Sequence, residues 1–236
     1  LPVAMVTAEA YMAKTPGLNI SISGGGSGNG IKALLDKSTD IANSSRFIKD
    51  KEVKLALEKG TYPVPHRVAV DAIVPVVHPS NPVEDLTIEH LSLIYQGKIK
   101  NWKIVGGNDM QIVVVSRDTS SGTYEVWAEK VLHDAKVMPQ AQLQASNGAV
   151  AQAVAKNKYA IGYVGLGYLN KDLKALKVAG IKASAETSLS GKYPIARALF
   201  MFTDGWPTGD VSGFLNFIVS REGQELVKKE GFVPLY

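Results

Sequence analysis

Two short stretches of the sequence combine side chains and backbone suited to holding an anion. The first, "GGGSGNG" at residues 24–30, gathers five glycines with Ser27 and Asn29 between an alternating run and a helix-like run. The second, "SRDTSSGTYEVW" at residues 116–127, places Arg117 a few residues before Ser121-Gly122-Thr123. Each stretch reads as strand, polar loop, then helix. A helix N-terminus leaves backbone N–H groups unpaired and carries partial positive charge, so it favours phosphate or carboxylate. Glycine lets the backbone approach closely and form concave nests, hydroxyls add donors, and a guanidinium fork pairs with two oxygens of one anion. On this reading Ser27, Ser121 and Thr123 are hydroxyl ligands, Gly28 and Gly122 supply N–H groups, and Arg117 supplies charge. Each feature alone has a plainer explanation. Ser-Gly before a helix is an ordinary N-cap and turn, an isolated arginine forms a structural ion pair, and a glycine run is a hinge. Two such loops in one chain, one carrying an arginine, keep the anion reading level with the plain one.

Catalytic and metal chemistry find fewer supports. The glycine run lacks the G-x-x-x-x-G-K-[ST] order because Ile31 follows Gly30, and it misses G-x-G-x-x-G spacing. No G-x-S-x-G elbow exists, since Asn29 stands where its final glycine belongs. His66, His78, His90 and His133 show no ligand spacing, so no metal site is expected. Asp40, Asp71 and Asp118 have no nucleophile beside them and read as cap, turn or hinge residues. No catalytic residue and no cofactor are expected.

The elements around these loops fit a large α/β chain. The sequence has 236 residues, 45% of them hydrophobic, with no cysteine and a net charge of +4. The missing cysteines exclude disulfides and thiolate sites and suit an oxidising compartment. Mixed-sign runs such as "KDKEVK" are solvated helix faces, and so small a net charge argues against nucleic-acid binding. The most apolar run, "VAVDAIVPVV", is interrupted by Asp71 and Pro75 and falls far short of the roughly 18 residues that span a bilayer. A helix over 4–14, a strand in "LNISIS", an extended "DIANSSR", a helix over 51–59 and a strand over 67–77 are predicted. Strands and helices then alternate, through a helix ending near Gly97 and a strand over 112–115, which points to largely parallel sheets. A β-branched and aromatic run over 193–202 precedes two C-terminal helices. The runs at 67–77 and 193–202 are expected to cross between two lobes. Residues 1–70 and 193–236 then form a discontinuous first lobe and 71–192 the second, with a ligand cleft between them.

Four motifs in order, "GGGSGNGIKALLDKSTDIANSSR", "IYQGKIKNWKIVGG", "SRDTSSGTYEVW" and "AIGYVGLGYL", resemble the phosphate-binding proteins of bacterial ABC importers, the PstS type. The resemblance runs from Leu1 to the terminal "GFVPLY". It implies a two-lobe periplasmic-binding-protein (type II) fold that closes over one inorganic phosphate. It also implies an extracytoplasmic location, with a lipid anchor upstream of Leu1 as an option, and a membrane permease with ATPase subunits as partner. A monomer is expected, with no nucleic-acid partner. By resemblance the serine after the glycine run, Ser27, contacts phosphate, as do Arg117, Ser121, Gly122 and Thr123 of the "R-x-x-x-SGT" loop. Ser45 falls where some relatives hold an aspartate, and Arg46 is placed to brace the loop more than to touch ligand.

Two departures from the family pattern carry expectations. Relatives have a further strand and a Gly-Ser-Thr-Thr-like phosphate loop before a segment like "LPVA", where this chain starts, so a site short of that loop is expected in these residues. An aspartate accepts the proton of hydrogenphosphate and repels sulfate; a serine at position 45 accepts it without the repulsion, so weaker phosphate-over-sulfate discrimination is expected. The rival readings are the same fold holding sulfate, molybdate or tungstate, a phosphatase-like enzyme using the same loops, and a structural or signalling fragment without ligand.

Overall fold

In the computed structural model, which describes every residue except Gly25 and Ser120, the chain forms two units: Leu1–Val70 with Arg197–Tyr236, and Asp71–Ala196. The first unit starts with α1 (Pro2–Lys14), where Pro2 sits in the first turn, the place in a helix that needs no N–H from it. Val3, Ala4 and Ala8 are buried on one face, and the Thr7 hydroxyl donates back to Val3 O at 2.7 Å. The predicted strand in "LNISIS" pairs with no strand among the described residues. Its alternation is real all the same: Ile20 and Ile22 pack against the core of this unit. Alternation reports one buried face, and a ladder additionally needs a neighbour.

Helix α2 (Ser27–Leu35) follows, and its buried Ile31, Leu34 and Leu35 recur at helical spacing. They pack with Ala42, Ile48, Ala56 and Phe202. Strand β1 (Ala42–Ser44) and α3 (Asp50–Glu58) come next, and then β2 (Pro63–Val77), whose residues are divided between the two units.

Strand β2 is fully buried from Val68 onward, and in the second unit it meets β6 antiparallel, with Ile73 opposite Gly165 and Val77 opposite Ile161. The elements between are β3 (Asp85–Leu86), α4 (Ile88–Tyr95), β4 (Val113–Arg117), α5 (Gly122–Trp127) with a π-helical turn at Ala128–Leu132, β5 (Gln142–Gln144) and α6 (Asn147–Ala155). Beyond β6 (Ala160–Gly165) lie β7 (Lys174–Ala175), β8 (Lys177–Val178) and α7 (Ala185–Leu189). The sheet runs β2-β6-β4-β5, with β7 also on β2, while β3 pairs parallel with β8. Pairing is therefore mixed, where the alternation of strands and helices predicts largely parallel sheets. Strand β4 is parallel to β5 and β6, which are reached through helical crossovers, but β2 is antiparallel to β6 and β7. Val76, Val115, Val150, Val154 and Val164 form the core against α6. Tyr193, expected with the first lobe, belongs here: its hydroxyl donates to Ile73 O at 2.9 Å, and Ile73 N donates to Ile195 O at 2.9 Å.

The chain returns to the first unit along β9 (Ala196–Asp204), which lies antiparallel to β1, with Ala42 opposite Phe202. Helices α8 (Gly209–Ile218) and α9 (Arg221–Lys229) then pack on α1 through Phe214, Leu215, Ile218 and Val227. The buried Gln224 amide donates to Val68 O and Ile218 O, and its carbonyl accepts from Leu235 N, which fixes the terminal "GFVPLY" segment.

Candidate anion-binding site

The reason for the glycines differs from position to position in the first loop. Gly26 precedes α2 with φ 86°, a conformation that glycine adopts at no steric cost. At Gly30 a Cβ would lie 3.1 Å from Asn43 O, so the missing side chain lets α2 press onto β1. Gly28 is exposed, and a Cβ there would find only the Arg46 guanidinium, at 3.8 Å. It lies in the first turn of α2, where helix geometry supplies no carbonyl for its N–H. Gly25 belongs to the cradle reading and lies outside the described residues.

Close packing of α2 on β1 brings Ser27 to Ser45. The Ser27 Oγ accepts from Ser45 N at 3.0 Å and lies 3.0 Å from Ser45 Oγ. Both residues are half-buried. Between them the two hydroxyls hold two protons and share one contact, so the pair retains a proton to donate outward. Beside them Arg46 makes a two-pronged ion pair with Glu52, at 2.8 Å on each prong, and donates to Phe47 O. This is a bracing arrangement: it ties the end of β1 to the start of α3.

The same contact sets a pH dependence. Hydrogen bonding from Arg46 outweighs the opposing effect of partial burial and, with the Lys49 N–H, holds the Glu52 carboxyl below its usual 4.5. A carboxyl whose folded value is depressed stabilises the fold above its unfolded value, and that contribution is lost as pH falls through the folded value. The melting temperature of the native chain is therefore expected to fall more steeply below about pH 4.5 than that of Glu52→Gln. Parallel melting curves for the two proteins from neutral to acid pH would exclude this role.

In the second unit Arg117 ends β4 and is tightly held, its side chain only 11% exposed. Its Nε donates to Gln144 O and its Nη2 to Ala145 O, both at 3.1 Å, while Asp118 Oδ2 lies 3.7 Å from Nη2. The Nε–Nη2 edge is thus occupied by carbonyls. The end of the fork, Nη1 with the second Nη2 hydrogen, has no acceptor among the described residues closer than Asp118. Ser121 is buried and caps α5, its Oγ accepting from Tyr124 N at 3.3 Å. The plain reading of Ser-Gly as an N-cap is thus realised here, and it is compatible with a ligand role, because a capping hydroxyl keeps its own proton to donate. Gly122 is exposed and Thr123 half-buried in the first turn of α5. Ser120 of the same loop lies outside the described residues.

Each unit therefore assembles its own share of the predicted residues: Ser27, Gly28 and Ser45 in the first, Arg117, Ser121, Gly122 and Thr123 in the second. Sequence reasoning missed the groups that hold them. Glu52 fixes Arg46, the carbonyls of Gln144 and Ala145 fix Arg117, and the Tyr163 hydroxyl accepts from Arg117 N at 3.1 Å. Carbonyls carry no sequence signal, and "AIGYVG" reads only as an apolar strand. Among the described residues no cluster of His, Asp and Glu could hold a metal ion, and no helix is long and apolar enough to cross a membrane.

Residues 1–222 match a family model described as a PBP superfamily domain. The chain is 33% identical over 236 residues to the phosphate-binding protein PstS of Bacillus subtilis, covering 99% of this chain and 77% of that protein. It resembles a substrate-binding protein from Clostridium perfringens crystallised with bound phosphate, with a TM-score of 0.76 and 34% identity over 100% of this chain and 95% of that one. An ABC-type phosphate transport receptor from Vibrio cholerae superposes with a TM-score of 0.86 at 29% identity, covering 98% of this chain and 94% of that one.

Proposed function

The chain belongs to the PstS-type phosphate-binding proteins of the PBP superfamily, and from that premise we propose that it captures inorganic phosphate outside the cytoplasm for import by an ABC transporter. It is a substrate-binding transport protein and not an enzyme. Its partners are phosphate and a membrane permease, and the chain acts as a monomer with no nucleic-acid role. It uses no cofactor; affinity arises from preorganised donors around a desolvated anion.

The proposed donors are the Ser27 and Ser45 hydroxyls and the Gly28 N–H from the first unit. The second supplies the Arg117 fork end, the Ser121 and Thr123 hydroxyls and the Gly122 N–H. The observation that carries this reading is the state of Arg117: a largely covered side chain pinned along one edge by two carbonyls, with Asp118 beside Nη2 at 3.7 Å, at the end of the strand that leads into α5. A cation held in this way is oriented before the anion arrives, so little side-chain freedom is lost on binding.

Titration calorimetry of the chain with phosphate and, separately, with sulfate tests the proposal. Micromolar or tighter phosphate binding is expected, with measurable sulfate binding, because Ser45 supplies no charge that repels a fully ionised oxyanion. Absence of phosphate binding beside tight binding of sulfate, molybdate or tungstate would reassign the ligand. Turnover of a phosphate ester would overturn the transport reading.

A further inference from the structure

The ladder between β4 and β6 pairs Val113 with Ala160 and Val114 with Ile161, and no further pair is made toward Arg117. Beyond that point side chains replace backbone on the β6 side of β4, while its other side pairs with β5 as far as Arg117. The Tyr95 hydroxyl donates to Val115 O at 3.1 Å. The Tyr163 oxygen accepts from Arg117 N at 3.1 Å and lies 2.9 Å from Ser116 Oγ, which in turn donates to Arg117 O at 3.3 Å. One assignment of protons satisfies all three contacts: the phenol donates to the serine, the serine donates to the Arg117 carbonyl, and the Arg117 N–H donates to the phenol. Both peptide groups of Arg117 are thereby fixed by a closed ring of hydrogen bonds. Burial pushes the Tyr163 hydroxyl up to about 12, so it stays protonated and able to donate throughout the physiological range.

The ring of Tyr163 does a second job. It stacks on Trp127 with centroids 4.2 Å apart and planes 8° from parallel, and Tyr95 lies against both. Trp127 is the last residue of α5, whose first turn holds Gly122 and Thr123. One side chain therefore touches both carriers of the proposed anion donors in this unit: the end of β4 through its hydroxyl and α5 through its ring.

We propose that Tyr163 is a positioning residue for anion binding, its hydroxyl holding the Arg117 backbone while its ring sets α5 against β4. It touches no ligand; it acts through Arg117. The inference rests on the phosphate-binding reading above.

The test is a double-mutant cycle read by phosphate titration, with Tyr163→Phe, Arg117→Lys and the double variant, and with melting temperatures measured without phosphate. Tyr163→Phe keeps the stack and removes only the hydroxyl, and it is expected to raise the phosphate Kd about tenfold. In the Arg117→Lys background the same change is expected to alter Kd by less than about threefold, because the geometry it protects is already lost. A general loss of stability would instead weaken binding equally in both backgrounds, and that result would overturn the proposal. Ser116→Ala, which opens the same ring from its other side, is expected to follow Tyr163→Phe and carries the test if the phenylalanine variant does not fold. A native chain that takes up phosphate while Tyr163→Phe and Ser116→Ala bind it with unchanged Kd overturns this inference alone. A native chain that takes up no phosphate overturns the functional reading and this inference with it.

Discussion

Arg117→Ala is expected to weaken phosphate binding by about 10²–10⁴-fold, the largest single effect on ligand affinity in this chain. The fork end of Arg117 offers two charge-assisted hydrogen bonds, each contributing roughly 1.5–3 kcal/mol, and about 1.4 kcal/mol corresponds to one decade of Kd. Their setting favours the upper part of that range, since the guanidinium is held by Gln144 O and Ala145 O before ligand arrives. Alanine removes the charge, takes the donor from Ala145 O and leaves Gln144 O with the Asp118 N–H alone, so a modest fall in melting temperature accompanies the loss of affinity. Arg117→Lys separates the two contributions. A lysine restores a point charge but no planar fork, so it recovers part of the affinity and little of the orientation. Calorimetry on the three proteins decides the matter: an alanine variant within a factor of about three of the native Kd would remove Arg117 from the ligand set.

Gly162→Val is expected to destabilise the second unit by about 3 kcal/mol, a fall in melting temperature of roughly 6–12 °C for a chain of this size. A Cβ at Gly162 would lie 2.7 Å from both Val150 Cγ1 and Val154 Cγ2, two buried side chains on the face of α6 that packs on β6. Neither is a flexible chain end. The helix itself must move outward, and interiors packed to crystal-like density resist that. The consequence reaches function, because Gln144 and Ala145, the anchors of the Arg117 guanidinium, lie immediately before the N-terminal cap of α6 at Ser146. Phosphate affinity is expected to fall with stability. Thermal melting of the variant without ligand checks the first effect, and an unchanged melting temperature would show that α6 yields freely.

Much of this molecule is legible in its order of residues. The helical spacing of Ile31, Leu34 and Leu35 predicts the buried face of α2, and the β-branched run ending at Val77 predicts β2. Both depend on local periodicity, which a sequence carries directly. The composition of the two polar loops likewise marks them as helix starts rich in glycine and hydroxyl side chains. The same local signals fail where a neighbour decides. "LNISIS" alternates as a strand does and buries Ile20 and Ile22, yet makes no ladder among the described residues, because a ladder requires an edge to pair with. Parallel pairing holds for β4 with β5 and β6, whereas β2 runs antiparallel to β6, an orientation fixed by chain routes too long for any sequence window.

The site divides in the same way. Arg117, Ser121, Gly122, Thr123, Ser27 and Gly28 are visible because hydroxyl, guanidinium and glycine each have a chemistry that names itself. What orients them comes from afar: Ser45 is 18 residues from Ser27, the Gln144 carbonyl 27 residues from Arg117, and the Tyr163 hydroxyl 46 residues from the N–H it accepts. Glycine roles also separate only in three dimensions, since Gly26 answers to a backbone angle, Gly30 to a strand pressed against it, and Gly162 to two valines of α6. The sequence by itself determined which groups are proposed to hold an anion. The tertiary structure alone decided how they are held, because backbone acceptors have no letter of their own and a contact across the sheet leaves no period along the chain.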